Sequence, residues 1–298
     1  MRGSTPKVRE RGEPRTPPER PAGPMTDADF TRLSEFIREH CGIKMPPVKK
    51  IMLEARLQKR LRSLGISSFR EYFNHLVGAP EGVGELVHMI DCVTTNKTDF
   101  FREPAHFCHL TEAVLPEFLR TGGAGVRPFA VWSAGCSSGE EPYTLAMVLS
   151  EFQALHPAFR FSVLASDIST KVLEKARRAI YEADRVVTVP VAFKQKYLMR
   201  SKDRGKGLVR LVPELRSAVR FQRINLMDEH LLLPEPADAV FCRNVIIYFE
   251  RSNQERLLSR LCRSLKTGGH LFLGHSETVH GFDLPLLRMT STVYRKIE

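Results

Sequence analysis

The sequence predicts an α/β protein, a mostly parallel sheet with helices on both faces, preceded by a small all-helical domain. Three observations carry that reading. From about residue 127 to the end, strand-like and helix-like segments alternate, which is the signature of a parallel sheet with crossover helices. Residues 25–93 show helical spacing alone. One polar, glycine-containing stretch, over about 188–220, breaks the alternation with short β-like pieces and reads as a small antiparallel insertion.

Taken in order, residues 1–24 are rich in Pro, Arg and Glu and almost free of apolar side chains. Such a segment buries too little surface to offset chain entropy, so a disordered tail is expected. In "TDADFTRLSEFIREHCGI", Thr26 or Asp27 caps a helix whose face is Phe30, Leu33, Phe36 and Ile37. "PPVKKIMLEARLQKRLRSLGI" starts on prolines, as first helical turns tolerate. Its apolar positions Val48, Met52, Leu53, Leu57 and Leu61 are helix-spaced, and Lys49, Lys50, Arg56, Lys59, Arg60 and Arg62 occupy the other faces. "SSFREYFNHLVG" and "EGVGELVHMIDCV" give two more helices.

The α/β part opens with strand "PFAVWSAG" and helix "EEPYTLAMVLSEF". Strand "RFSVLASDIS" and helix "TKVLEKARRAIY" follow, and after the insertion come "VRFQRINL" and "ADAVFC" as strands. "SNQERLLSRLCRSL" is a helix with Ser252 as its expected cap, and "GGHLFLGH" and "STVYRKIE" close the sheet.

With 298 residues, 42% of them hydrophobic, the chain has material for a sizeable core and more than one domain. No apolar run is long enough for a membrane span, and the N-terminus lacks a signal-peptide core. The six cysteines form no CxxC pair. His106, Cys108 and His109 lack the further ligands a metal site needs, so no metal is expected. Dispersed thiols suit a reducing cytoplasm. The net charge of +11 points to an acidic partner without choosing its kind.

Chemistry is concentrated in "SAGCSSGEE", Ser133 to Glu141. Small residues after the first strand let the backbone approach a ligand at the carboxyl ends of the strands. No GKS or GKT follows, so this is not a Walker A loop, and only Gly135 and Gly139 are present, so it is not GxGxxG. Glu140 and Glu141 would repel a triphosphate and welcome a cation or ribose hydroxyls. Asp167, ending the second strand, stands where an acid accepts from ribose hydroxyls, although capping the next helix would also explain it. A nucleoside with a positive centre suits this set, and S-adenosylmethionine is such a molecule.

The chain also resembles the chemotaxis receptor methyltransferase family, CheR, from about Phe30 onward. The motifs are "TTNKTDFFRE" (Thr94 to Glu103), "WSAGCSSGEEPY" (Trp132 to Tyr143), "ASDI" (Ala165 to Ile168), "GLVRL" (Gly207 to Leu211), "INL" (Ile224 to Leu226), "FCRNVIIYF" (Phe241 to Phe249) and "GHSE" (Gly274 to Glu277). The resemblance implies a helical domain over 25–93 and, over 94–298, a Rossmann-like class I methyltransferase domain with a small β-subdomain. It implies methyl transfer from S-adenosylmethionine to glutamate side chains of chemoreceptors, giving methyl esters and S-adenosylhomocysteine. It also implies a cytoplasmic monomer recruited to membrane receptor arrays. Asn96, Thr98, Arg102, Glu140 or Glu141, Asp167, Asn225, Leu226, Arg243 and Asn244 correspond to cofactor contacts, and Arg102 and Tyr248 to residues at the reacting methyl. The basic helix would dock on acidic receptor helices, and the β-subdomain would hold a receptor C-terminal peptide. A solvated charged face is the plainer account of that helix.

Two rivals fit less well. Adenine amino methylation would ask for two prolines after the Asn of the fourth strand, where Val245 and Ile246 stand. No nucleic-acid partner is therefore expected. A non-catalytic adaptor would have no use for Arg102, Asp167, Asn225 and Tyr248 together.

Overall fold

A computed structural model of the protein describes residues 23–78, 82–123, 125–229, 233 and 235–298. The tail expected over 1–24 lies outside them except for its last two residues. The described residues divide into two compact units, one comprising those up to Ser34 with Pro46–Val93, the other Glu35–Met45 with Thr94–Glu298.

Helix α1 (Asp27–Cys41) begins at a reciprocal cap. Thr26 Oγ1 accepts from the Asp29 amide at 3.1 Å, and the Asp29 carboxylate accepts from the Thr26 amide at 3.2 Å. A 3₁₀ turn at Pro47–Lys49 leads into α2 (Lys50–Leu64), which Gly65 ends in the left-handed conformation. Leu53, Leu57 and Leu61 form its fully buried stripe. Val48, expected in that stripe, is 86% exposed. It sits in the 3₁₀ turn, whose tighter winding puts it out of phase with the α-helical face.

The helical unit is completed by α3 (Phe69–Gly78) and α4 (Gly82–Val93). Three of the basic residues expected on open faces of α2 have internal partners instead. Arg60 forks onto the Glu85 carboxylate at 2.9 and 3.1 Å, and the Tyr72 hydroxyl donates to the same group at 2.8 Å. Burial pushes the Glu85 carboxyl up, but these hydrogen bonds prevail and its pKa lies below the ordinary value. Arg56 donates to the Val93 carbonyl at 2.7 Å, and Lys50 pairs with Asp27 at 2.7 Å. Lys59 and Arg62 remain on the exposed side with Ile51.

In the larger unit, α5 (Ala105–His109) continues through a π-helical turn at Leu110–Val114 into α6 (Leu115–Arg120). Then come β1 (Phe129–Ala134), α7 (Glu140–Leu155), β2 (Phe161–Asp167) and α8 (Thr170–Arg178). Sequence spacing carries helix α8 on to Tyr181, but Ala179 stops it in the left-handed conformation. Ile180 and Tyr181 belong to a strand, β3 (Ile180–Glu182). With α9 (Val191–Tyr197), β4 (Leu198–Arg200) and β5 (Leu208–Leu211), this strand builds a three-stranded antiparallel sheet in the order β3-β5-β4. The insertion expected over about 188–220 therefore has its first strand earlier, at Ile180.

The chain returns through α10 (Pro213–Ala218) to β6 (Val219–Arg223), β7 (Ala237–Cys242), α11 (Arg251–Arg263), β8 (Leu265–Leu273), β9 (Leu286–Arg288) and β10 (Val293–Lys296). Glu250, not Ser252, is the N-cap of α11, and Ser252 lies within the helix. The large sheet has seven strands in the order β6-β2-β1-β7-β8-β10-β9. It is parallel from β6 to β8, and β10 and β9 join antiparallel.

Apolar clusters line the sheet. One gathers Phe107, Phe129, Leu145, Leu149 and Phe241, another Trp132, Val240, Leu257, Leu261 and Leu271. At the amino ends of the central strands Asp238 ties the sheet together. Its carboxylate takes two Arg127 nitrogens at 2.7 Å each and the Ala130 amide at 2.8 Å, across 108 residues of chain in the last case.

Candidate active site

Strand β1 sits where the connections part. The chain proceeds from β1 to β2 and β6 on one side, and β7 and β8 lie on the other. Such a switch point leaves a crevice outside the carboxyl ends of the two central strands, here β1 and β7.

From β1 the chain enters the small-residue loop and then α7. Gly139 is the N-cap of α7 at φ +99°, and a Cβ there would lie 2.9 Å from both the Ala176 Cβ and the Tyr181 hydroxyl. Only glycine meets both demands. Ser137 also has positive φ, +49°, and is pinned twice. Its amide donates to Asp167 Oδ2 at 2.9 Å, and its hydroxyl to the Asn96 carbonyl at 2.9 Å. Asp167 Oδ1 accepts from the Ser169 amide at 2.9 Å. Asp167 is thus a buried anchor of the loop and of the turn into α8, whose N-cap is Ser169.

The two adjacent glutamates serve different neighbourhoods. Glu140, 1% exposed, accepts from the Ser138 hydroxyl at 2.7 Å and from Arg185 at 2.8 Å. Arg185 also donates to the Thr98 carbonyl at 2.6 Å, so Glu140 faces the segment leading to the small sheet. Glu141 turns to the crevice. It accepts from the Ser133 hydroxyl at 2.7 Å and pairs with Arg243 at 3.4 Å, which joins the ends of β1 and β7. Burial raises the Glu141 pKa, and Arg243 and Ser133 offset only part of that.

At the end of β7, Arg243 is 7% exposed and also pairs with Glu103 at 3.2 Å. Its guanidinium donates to the Arg102 carbonyl. Phe101 and Glu103 both have positive φ, +53° and +56°, so the backbone on either side of Arg102 is held in a sparsely populated region. The Arg102 side chain donates to the Lys97 carbonyl at 3.2 Å. Asn244 follows at φ +58°, a conformation Asn tolerates. Its place is fixed by Gly274, where a Cβ would lie 2.4 Å from Asn244 Nδ2.

Glu277 organises this end of the strand. Its buried carboxylate accepts from the amides of Gly274 at 2.6 Å, Asn244 at 2.8 Å, Val245 at 2.8 Å and Ile246 at 2.7 Å. The chain is thereby turned into the 3₁₀ segment Ile246–Tyr248, which presents a half-buried Tyr248. Burial raises the Glu277 pKa, outweighing these amides. Asn225 and Leu226 lie two and three residues beyond β6. Asn225 donates to the His40 carbonyl at 2.8 Å and accepts from the Met227 amide at 3.1 Å. Leu226 is 7% exposed within the apolar cluster of Trp132.

Asn96 and Asp167 thus meet through Ser137, Arg102 and Glu141 through Arg243, and Thr98 and Glu140 through Arg185. Asn225 and Leu226 are held by other partners, His40 and Met227 for the first and the Trp132 cluster for the second. Sequence reasoning overlooks Arg185, Glu103 and the task of Glu277. Glu277 is visible within "GHSE", a lone acid in a glycine-led turn. Arg185 carries no signal, because its partners are 45 and 87 residues away. On the small sheet, an open groove of about 1300 Å³ is lined by Val186, Val191, Lys194, Leu198, Arg200 and Val209.

Numbered along the chain, the strands of the large sheet run 3-2-1-4-5-7-6, with the reversed strand inserted near the edge. With the crevice at β1 and β7, this is the architecture of a class I S-adenosylmethionine-dependent methyltransferase. A family model described as the CheR methyltransferase SAM binding domain matches residues 96–295, and one described as the CheR methyltransferase all-alpha domain matches residues 28–94. The chain is 40% identical over 270 residues to the chemotaxis protein methyltransferase of Escherichia coli (strain K12), covering 91% of each chain. It is 38% identical over 262 residues to that of Borreliella burgdorferi, covering 86% of this chain and 90% of that one. The protein belongs to the CheR methyltransferase family.

Proposed function

We propose that the protein transfers the methyl group of S-adenosylmethionine to glutamate side chains of chemoreceptor cytoplasmic helices, yielding glutamyl methyl esters and S-adenosylhomocysteine. The observation that carries this reading is the meeting of Ser133, Glu141, Arg243 and Arg102 at the carboxyl ends of β1 and β7 in a chain of the CheR family. The donor set suits the cofactor. One carboxylate stands in the crevice for its positive centres. A second, Asp167, lies beside a loop of small residues, and each carboxylate oxygen can accept more than one hydrogen bond. The reading places Glu141 toward the amino-acid end and Asp167 toward the ribose. Asn225 and Leu226 serve the adenine, Asn96 and Thr98 line the approach, and Arg243 and Asn244 form the wall.

When bound, S-adenosylmethionine supplies an electrophilic methyl on a sulfonium. A glutamate side chain in water has a pKa of about 4.3, so the acceptor is already ionised at neutral pH and no protein base is needed. The side chains have to align the acceptor and exclude water, and alignment of this kind contributes roughly 7–11 kcal/mol in favourable cases. Arg102, half-buried and held at the Lys97 carbonyl, forks onto the acceptor carboxylate. Tyr248 directs its hydroxyl at the acceptor oxygen or the methyl group. These two act as positioners.

Docking is assigned to the exposed side of α2. Lys59 and Arg62 attract an acidic helix and Ile51 adds apolar contact, whereas Lys50, Arg56 and Arg60 are engaged internally. Reversing Lys59 and Arg62 to glutamate is expected to lower receptor methylation severalfold at low salt, with cofactor affinity unchanged. Equal methylation by the variant and the parent at low and high salt would remove this docking face. The groove on the small sheet is assigned to a receptor C-terminal peptide. Fluorescence anisotropy with labelled receptor tails tests it, and tails that do not bind refute it.

The reaction itself is tested by incubating the protein with methyl-labelled S-adenosylmethionine and receptor-containing membranes, then adding mild alkali. Label released as methanol is the expected result, since carboxyl methyl esters hydrolyse there. Alkali-stable label would mean methylation at nitrogen or carbon and overturn the reading.

A further inference from the structure

We propose that Glu103, His106 and His275 form a binding site for a transition-metal dication of the zinc class, at the edge of the crevice. One ligand atom from each, Glu103 Oε2, His106 Nδ1 and the His275 ring nitrogen, lies within 4.8 Å of the others. Glu103 Oε2 is 3.5 Å from His106 Nδ1 and 4.0 Å from His275 Nε2. Those separations are long for hydrogen bonds. The first is close to the spacing of zinc ligands, and the second, to the exposed His275 ring, is about half an ångström wider. Oxygen and nitrogen about 2.0–2.1 Å from a tetrahedral ion stand roughly 3.4 Å apart.

A second observation points the same way. Glu103 Oε2 and His106 Nδ1 are both sealed from solvent and both lack a hydrogen-bond partner. Glu103 Oε2 has the Arg243 guanidinium at 3.2 Å as an ion-pair partner, so the unpartnered atom is His106 Nδ1. A buried polar atom normally has a hydrogen-bond partner, and this one is aimed at a carboxylate oxygen and calls for a ligand between them. The His106 side chain is 3% exposed, and its other nitrogen, Nε2, is 2.7 Å from the Thr292 hydroxyl. A second ring contact of this kind is how proteins orient a metal-ligating histidine. The other carboxylate oxygen, Oε1, accepts from the His275 amide at 3.3 Å, which ties the third ligand's backbone to the first ligand. The His275 side chain is 62% exposed, so an ion has a route in and a solvent molecule can take the fourth position.

The chief competitor is Arg243, whose guanidinium is 3.2 Å from the same Glu103 oxygen. Arg243 retains Glu141 as a second anion, so the metal shares a carboxylate without leaving that cation unpaired. Two imidazoles and one carboxylate match zinc, cobalt or nickel better than the hard ions calcium and magnesium. The site stands on these distances and on the unpartnered His106 nitrogen, independently of the methyl acceptor proposed above.

The test uses the full chain stripped of metal with a chelator. Zinc is titrated in competition with a chromophoric chelator, and cobalt binding is followed by its visible absorption. One ion per chain is expected, with cobalt giving the intense bands of a low-symmetry, few-ligand site. His275→Ala, a change at an exposed side chain, is expected to weaken binding at least tenfold, and Glu103→Gln similarly. Cys108→Ser, which removes an exposed thiol outside the cluster, should leave the affinity within twofold of the parent. No zinc binding at tens of micromolar overturns the site. So does undiminished binding by His275→Ala and Glu103→Gln, or loss of binding in Cys108→Ser.

Discussion

Replacing Glu277 by alanine is expected to lower the melting temperature of the protein by about 6–12 °C. The carboxylate is the shared acceptor for the amides of Gly274, Asn244, Val245 and Ile246. Of these residues, Gly274 and Ile246 are buried. A buried amide left without an acceptor costs about 1–3 kcal/mol, so two losses toward the lower end of that range give about 3 kcal/mol. In a unit of this size, each kcal/mol moves the midpoint by about 2–4 °C. Glu277→Gln should fall between the two. It retains one carbonyl oxygen for Val245 and Ile246 but turns an amino group toward the Gly274 and Asn244 donors. Thermal unfolding of the three proteins decides the matter. An alanine variant as stable as the parent would mean that these amides find other acceptors.

The second large effect concerns turnover. Tyr248→Phe is expected to lower kcat about tenfold to a hundredfold, or about 1.4–2.7 kcal/mol in the barrier. Cofactor affinity should stay within about twofold, because the hydroxyl is assigned to aligning the acceptor and the methyl group. Glu141→Gln should do the reverse. It removes a charge-assisted contact to the cofactor, and about 1.5 kcal/mol corresponds to roughly tenfold weaker binding. Glu140→Gln should change cofactor affinity less than Glu141→Gln, since Glu140 is occupied by Ser138 and Arg185. Calorimetric titration with S-adenosylhomocysteine and initial rates with receptor separate these quantities. Loss of affinity and rate in equal measure in Tyr248→Phe would refute its assignment.

Much of this arrangement was legible from periodicity. The alternation after residue 127 reveals a parallel sheet because buried strands and crossover helices differ in length and period. Leu53, Leu57 and Leu61 announce the buried side of α2 in the same way. What stayed hidden depends on neighbours distant in sequence or on single backbone angles. Helix α8 looks as though it runs through Ile180, and only the left-handed Ala179 ends it. Val48 matches the α-helical stripe in letters but lies in a turn of different pitch. Arg60 reads as a surface cation until Glu85 and Tyr72 meet it. In the crevice, Glu140 and Glu141 are indistinguishable as letters. Arg185 and Arg243, placed by remote elements, give them separate tasks.

The position of β1 at the centre of the sheet has a consequence for biosynthesis. Its partner β2 emerges soon after it, but Asp238 of β7, which binds the Ala130 amide, lies 108 residues further on. At about 5–20 residues per second, the ribosome needs roughly 5–20 s to cover that distance. Throughout that interval one edge of an apolar strand has no neighbour, the condition under which nascent sheets pair with other chains. The nascent chain should therefore depend on chaperones until β7 has been made and closes that edge.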